Sequence, residues 1–460
     1  MKTQNIQPII FNEFEDYPVT PNSTYLERIQ AVRSKMKSMN LDFLVIFSDR
    51  EHSVNQEYLV GVGPRFEESI LVIGEEGNQA ILLGNECQYY APDSELQIKI
   101  FLFQDFSPAG MQRSASKRLA EIFTEVGIGS GQKIGCVGWK TYSKNLILDG
   151  EEILDIPSYL AIELSKIVGG YTHLVNATDI FTGTSSGLRM KSDLYEIAQF
   201  EYAARVVSNA IRDTTERFEV GIRERDLDKY LISNGLTLTC HKMISFGEKV
   251  RRGLSSPSDN VLKLGDPYCL ALGVSGALTA RAGMFAHNVN DISEELQSFF
   301  PEFSFNYWSA VVKWYESIKI GETGGNIFSD VHNVIDDSLY TLMLNPGHNL
   351  HLEEWIGSIF SENNSVKLYS GMVLQSDLIP ISKGPFCYSN AEDGVALADQ
   401  ELRTALQNSY PQFWERVLHR RNFLRDEIGL QLDESVLPLS DTCGLYAPYA
   451  LSNNNVYVKS

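Results

Sequence analysis

Histidines and carboxylates bind divalent metals and move protons, and this chain gathers them around one stretch, NPGHNLHLEEW at residues 345–355. Pro346-Gly347 sets a turn. His348 and His351 follow three apart, then Glu353, Glu354 and Trp355. Downstream, Asp377 in GMVLQSDLIPI and Glu392 in YSNAEDGVAL stand in apolar, strand-like surroundings. A carboxylate buried there is costly without a partner, so both join His348 as candidates for a metal or acid/base site. The competing reading of His348 is a core histidine satisfied by its neighbours. Glu353 and Glu354 read as a solvated strand end, and Trp355 as packing or as a platform for a substrate. His52 and His287 read as solvated or loop-bonded. Arg251 and Arg252 read as a surface pair.

Two predicted domains must position these groups. Leu26, Ile29, Val32 and Met36 recur at helical spacing, and the strand-like run LDFLVIF follows. SILVIG, QAILLG and KIGCVG are further strands. Helices are expected over residues 114–126 and 156–164, with a short return at 174–179. This is an α/β domain with one main sheet. No Gly-rich phosphate loop follows any of its strands, which leaves nucleotide binding without support. The small polar run TGTSSG (182–187) reads as a linker and divides the chain into residues 1–184 and 185–460. In the second part, Leu194, Ile197, Ala203, Val207, Ala210 and Ile211 make one apolar stripe, a long amphipathic helix capped by Ser192. Shorter helices are expected at 225–233 and 326–338 and a second long one over 307–318. They alternate with the strand KMISFG and the strand pair CLALGVSGALTARAGMF, an α+β pattern. VGIRERDL and IGETGGNI, which begin at Val220 and Ile320, look alike and hint at a duplicated half. The tail after Gly429 reads as a surface wrap.

The 460 residues include 39 basic and 59 acidic side chains, a net charge of −20. That argues against a general nucleic-acid or anionic-membrane surface, since both reward basic patches. The six cysteines are scattered with no CxxC pair, as expected of free thiols in a reducing compartment. The first residues read as neither signal peptide nor anchor, and no run approaches a membrane span. A cytoplasmic protein is expected.

Several phrases carry a resemblance. LRMKSDLYEIA resembles an R-x-K-S-x-x-E-I entry helix, and PSDNVLKLGDPYCLALG the loop into a first site strand. NPGHNLHL resembles G-H-G-I-G-L, GMVLQSD resembles G-M-V-F-T-I-E, and NAEDGVAL resembles R-x-E-D. In this order they resemble the creatinase/aminopeptidase P/prolidase (peptidase M24-like) family. The resemblance implies an α/β creatinase-like amino-terminal domain followed by an α+β pita-bread domain. It also implies a homodimer in which one subunit's first domain roofs the other's site.

The family's peptidases hold two metal ions with two aspartates, one histidine and two glutamates. By resemblance the histidine is His348 and the glutamates are Asp377, one methylene short, and Glu392. The aspartate positions fall on Ala271 and on Ala280 or, by a one-residue slip, Arg281. A methyl group has no lone pair to give, and two dications about 3.5–4 Å apart repel without a bridging carboxylate. A two-metal aminopeptidase is therefore not expected. Three readings stay open. The first is a metal-free C–N hydrolase acting on a small amino- or guanidino-acid, with no cofactor; the ligand expected of the chain is a small molecule or short peptide. His348 and His351 are then candidate proton carriers, Asp377 and Glu392 hold a cationic group, and Arg65, Arg281, His351 and Trp355 are the substrate-side candidates. The second is a one-metal enzyme built on His348, Asp377 and Glu392. The third is a catalytically inactive ligand- or partner-binding protein. Arg65 has a plainer alternative, a surface pair with Glu67 or Glu68.

Overall fold

A computed structural model describes residues 2–143, 145–147 and 152–459. The chain forms two compact units: Thr20–Arg189, and Met1–Val19 together with Met190–Ser460. The division falls five residues past the expected boundary at 184/185. The first nineteen residues cluster with the second unit, whereas the sequence pattern grouped them with the first. Among the described residues no helix is long and apolar enough to cross a membrane.

The smaller unit is built on a six-stranded sheet in the order Lys99–Leu102, Gln79–Leu83, Ser69–Gly74, Phe43–Ser48, Ile134–Val137, Leu174–Asn176. Every residue of Phe43–Ser48 is buried, as an unbroken apolar run requires when a strand is covered on both faces. It pairs antiparallel with Ser69–Gly74 and parallel with Ile134–Val137. The helices Asn22–Ser38, Leu119–Val126 and Ser158–Val168 match the expected ones in place. The second starts five residues later than its apolar pattern suggested, where the Glu121 carboxylate accepts from the Arg118 backbone N–H.

The larger unit carries a seven-stranded antiparallel sheet. Its order is His348–Asn349, Val373–Ser376, Asn390–Leu397, Ala277–Met284, Pro267–Val274, Met243–Phe246, with Val436–Pro438 also paired to Asn390–Leu397. Two long helices, Leu194–Thr215 and Glu294–Ser317, contribute to two separate apolar cores. The cap of the first is Asp193, not Ser192. Its carboxylate accepts from the backbone N–H of Tyr195 and of Glu196, and Glu196 reaches back to close the box. The second begins thirteen residues before the expected start, running through Pro301. The helix expected at 225–233 is one turn, Glu224–Leu227, followed by a 3-10 turn.

The look-alike phrases occupy equivalent places. Each long helix ends in a turn with a glycine at positive φ, +94° at Gly221 and +90° at Gly321, and a shorter helix follows. The Gly221 N–H donates to the Leu262 carbonyl and the Gly321 N–H to that of Leu368. The tail is not a surface wrap. Val436–Pro438 joins the sheet, and Leu430, Leu439 and Tyr446 are core residues. Its polar composition hid these apolar positions, which are interspersed with buried Ser435, Ser440 and Asp441.

Candidate functional site

Sheet register assembles the site. In an antiparallel sheet, directly opposed residues point to the same face. Met243 opposes Ala271, Ala271 opposes Ala280, and Ala280 opposes Glu392. On the far side His348 opposes Gln375, and Gln375 opposes Gly394, two residues from Glu392. Asp377 lies two residues beyond Gln375. One face therefore presents His348, Gln375, Asp377, Glu392, Ala280, Ala271 and Met243.

His348 is the hub. It is fully buried, and the indole of Trp355 stacks on its ring at 4.2 Å between centroids and 20° between planes. Its Nδ1 lies 3.2 Å from the Asn349 carbonyl. A neutral imidazole donating there turns its Nε2 lone pair toward the site. Around Nε2 stand three carboxylates at the same distance: Glu354 Oε1, Asp377 Oδ2 and Glu392 Oε1, each at 3.9 Å. Among the described residues, His348 Nε2 and Asp377 Oδ1 are buried without a hydrogen-bond partner. Glu392 accepts from the Gln375 amide at 3.3 Å and is also hydrogen-bonded by the Asn390 side chain.

Three carboxylates in a space this dry cannot all carry charge cheaply. Burial pushes Asp377 well above the ordinary carboxylate range, and the charges of Glu392 and Glu354 push the same way, against His348. Burial likewise drives Glu392 upward, followed by Glu354. These two titrate as members of one cluster.

Glu354, taken from the sequence as a solvated strand end, is the member that pattern reading missed. Its side chain is 31% exposed, yet one oxygen reaches His348. Residues 351–354 form a bend after the short strand, and no periodic signal aims a side chain there. The excess of acid following His348 was the one available hint.

The remaining candidates divide. Trp355 belongs to the site as the cover of His348. Arg281 does not. It follows Ala280 and so points to the opposite face, where its guanidinium donates to Asp393 Oδ2 at 2.5 Å and to the carbonyls of Ala280, Glu392 and Thr442. The register selects Ala280 over Arg281 as the residue beside Glu392. His351 also serves elsewhere: fully buried, its Nε2 lies 3.1 Å from Glu196 Oε1, and Phe200 meets it edge-on at 5.4 Å. That pair ties the strand end to the helix Leu194–Thr215. Arg65 lies exposed in the smaller unit, before the strand Ser69–Gly74, with no ion pair among the described residues. Its suggested surface partners are engaged otherwise. Glu67 is buried and accepts from the Glu86 and Cys87 N–H groups and the Ser107 hydroxyl, while Glu68 accepts from the Tyr159 hydroxyl. His52 and His287 are bonded to loop aspartates, Asp49 and Asp291, as expected. Arg251 pairs with Glu248 and covers the Phe386 ring.

The donor set fits one divalent cation. Ligand atoms of His348, Glu354 and Glu392 all lie within 4.8 Å of one another, and imidazole nitrogen with carboxylate oxygen suits zinc, manganese or iron. A second cation does not fit. Beside Glu392 the methyl groups of Ala271 and Ala280 pack with Met243 and Leu278 into a small apolar cluster, with Cys240 against it. The Cys240 thiol is pushed up to about 11 by burial and by the charges of Glu354 and Glu392, so it stays protonated.

No family model matches this chain, and no curated protein does. Solved structures do match. Dipeptidase PepE from Mycobacterium ulcerans superposes with a TM-score of 0.62 at 16% identity, covering 82% of this chain and 94% of its own. The prolidase from Pyrococcus horikoshii OT3 gives 0.61 at 18% identity, covering 81% and 95%. A variant of Escherichia coli aminopeptidase P gives 0.56 at 11%, covering 82% and 93%. Identities this low speak for the fold alone, and together with the sheet order they establish that this chain has the peptidase M24-like fold of the prolidases and aminopeptidase P.

Proposed function

We propose that the larger unit is a hydrolase site for a C–N bond of a short peptide or small amino-acid derivative, organised around one cation position instead of two. The observation that carries this is the single imidazole nitrogen with three carboxylates at 3.9 Å, where among the described residues no lysine or arginine pairs with the carboxylate of Asp377 or Glu392. His348, Glu354 and Glu392 would hold a divalent ion, with Asp377 beside it. Bound there, such an ion supplies Lewis-acid polarisation of a substrate carbonyl. Asp377, kept protonated by its surroundings, is the group placed to donate a proton to a leaving nitrogen. Trp355 excludes water from one face of His348.

A metal-free variant of the same chemistry has its own support. Asp377 and Glu392 both favour their protonated forms, so the cluster can exist without a metal and accept the ammonium or guanidinium group of a substrate. Adding Glu354 to the donors expected from sequence tips the balance toward the ion. The expected homodimer and cytoplasmic setting remain part of the proposal.

The test is hydrolysis of a dipeptide panel by chelator-stripped protein, before and after one equivalent of manganese or zinc. Turnover that appears at one equivalent and is lost in Glu354→Gln supports the one-ion site. Turnover unaffected by chelator supports the metal-free variant. A protein that binds neither ions nor peptides sinks both.

A further inference from the structure

Within the larger unit the segment Phe11–Pro18 has no regular secondary structure, yet side chains hold it along its length. Its backbone is gripped at four points, one of them the Glu13 carbonyl, which accepts from the Arg205 guanidinium. The Phe11 N–H donates to Asp441 Oδ2 at 2.9 Å, and the Phe11 carbonyl accepts from the Asn209 amide at 3.3 Å. The Pro18 carbonyl accepts from the Gln199 amide at 2.8 Å. Its side chains are recognised too. Glu15 bridges Arg205 at 3.0 Å and Arg416 at 2.5 Å, Phe14 lies under the Arg205 guanidinium at 4.4 Å, and Tyr202 meets Phe14 and Tyr17 edge-on. Gln199, Tyr202, Arg205 and Asn209 are spaced three, three and four apart, one stripe of the helix Leu194–Thr215.

Charge makes this segment more than packing. Beneath it three arginines, Arg205, Arg416 and Arg420, are buried with two acids, Glu201 and Asp441. Arg420 holds both acids and Arg416 holds Glu201. The third counter-charge is Glu15. Burial works against its ionisation, but its own backbone N–H, Arg205 and Arg416 outweigh this and hold it below the ordinary value. A buried cation left without its partner is strongly destabilising.

We propose that the stripe Gln199–Asn209 with Arg416 and Asp441 is a peptide-binding groove for an extended acidic-aromatic segment, filled in this chain by its own residues 11–18 and able to bind the same sequence in trans. Polar side chains take the backbone, two arginines read the glutamate, and one tyrosine, Tyr202, meets both flanking rings. These are the parts of a peptide-recognition site, not of a strand ladder.

The test uses the full chain carrying Phe14→Ala with Glu15→Gln, which loosens the segment and leaves the groove intact. A labelled peptide of residues 9–20 should bind this variant and fail to bind the wild-type chain, whose groove is filled. The peptide bearing the same two substitutions should bind at least about tenfold more weakly, and raised salt should weaken the wild-type peptide. Hydrogen exchange should speed up at residues 11–18 in the variant. As a second arm, a protease site placed after Val19 in the otherwise wild-type chain allows the segment to be cut. It should stay bound after cleavage and exchange with excess labelled peptide. The proposal is overturned if the variant binds no peptide, if the substituted peptide binds equally well, or if the cut segment departs and the peptide does not replace it.

Discussion

Glu392 and Asp393 are neighbours on one buried strand, and the sheet sends them to opposite faces. Asp393 meets everything a buried carboxylate needs: Arg281 at 2.5 Å and the hydroxyls of Ser440 at 2.6 Å, Thr442 at 2.8 Å and Thr279 at 3.4 Å. Among the described residues Glu392 meets two amides, Gln375 and Asn390, no cation, and the acids Glu354 and Asp377. One face is a finished ion pair that holds the strand, and the other is an unfinished cluster of negative charge. Sequence proximity says nothing about which acid is structural. The count of partners does, and the deficit on the Glu392 face is what a ligand would complete.

The largest effect should come from breaking the finished face. Arg281→Met strands Asp393 without a cation and should cost about 3–5 kcal/mol in urea denaturation. A loss below about 1 kcal/mol would mean that the two faces are not different in kind. The same experiment on the other face should go the opposite way. Glu392→Gln and Asp377→Asn remove charge that burial disfavours, so each should leave the metal-stripped protein as stable or more stable by about 1 kcal/mol, while weakening cation binding at least about tenfold.

The pH dependence sharpens the contrast. Asp377 and Glu392 have folded-state pKa values above their unfolded ones, so the folded protein retains protons that the unfolded chain releases near about 4. Their stabilising contribution is full below that pH and is lost as pH rises through the folded values. Relative to Glu392→Gln and Asp377→Asn, metal-stripped wild-type protein should therefore lose stability as pH climbs above about 4, and a saturating divalent ion, which favours ionised Glu392, should shrink or reverse that difference. Identical pH profiles with and without ion would remove the cluster from the account. The smallest effect is expected at the cover: Trp355→Ala should cost about 0.5–1.5 kcal/mol for the lost stacking, read by the same denaturation.

Much of this was legible in the sequence. Strand runs such as LDFLVIF and the stripe Leu194–Ile211 depend on local periodicity, and both fold as read. His348, Asp377 and Glu392 were found because charged or polar types broke apolar strands, and all three converge. Arg281 was misassigned through a one-residue ambiguity, and a single-residue shift in a strand exchanges its two faces. His351 failed for a related reason. Its partner Glu196 is 155 residues away in the sequence, and no local pattern reports such a contact. Glu354 was missed because a bend, not a period, aims it.

The proposed site has a single cation position, at His348, Glu354 and Glu392. This is tested most directly by isothermal titration of chelator-stripped protein with manganese or zinc, alongside elemental analysis of the saturated, desalted product. The account predicts one ion per chain, with binding abolished in His348→Ala and reduced at least about tenfold in Glu354→Gln. Two ions per chain, or one ion whose affinity is indifferent to Glu354, would contradict it.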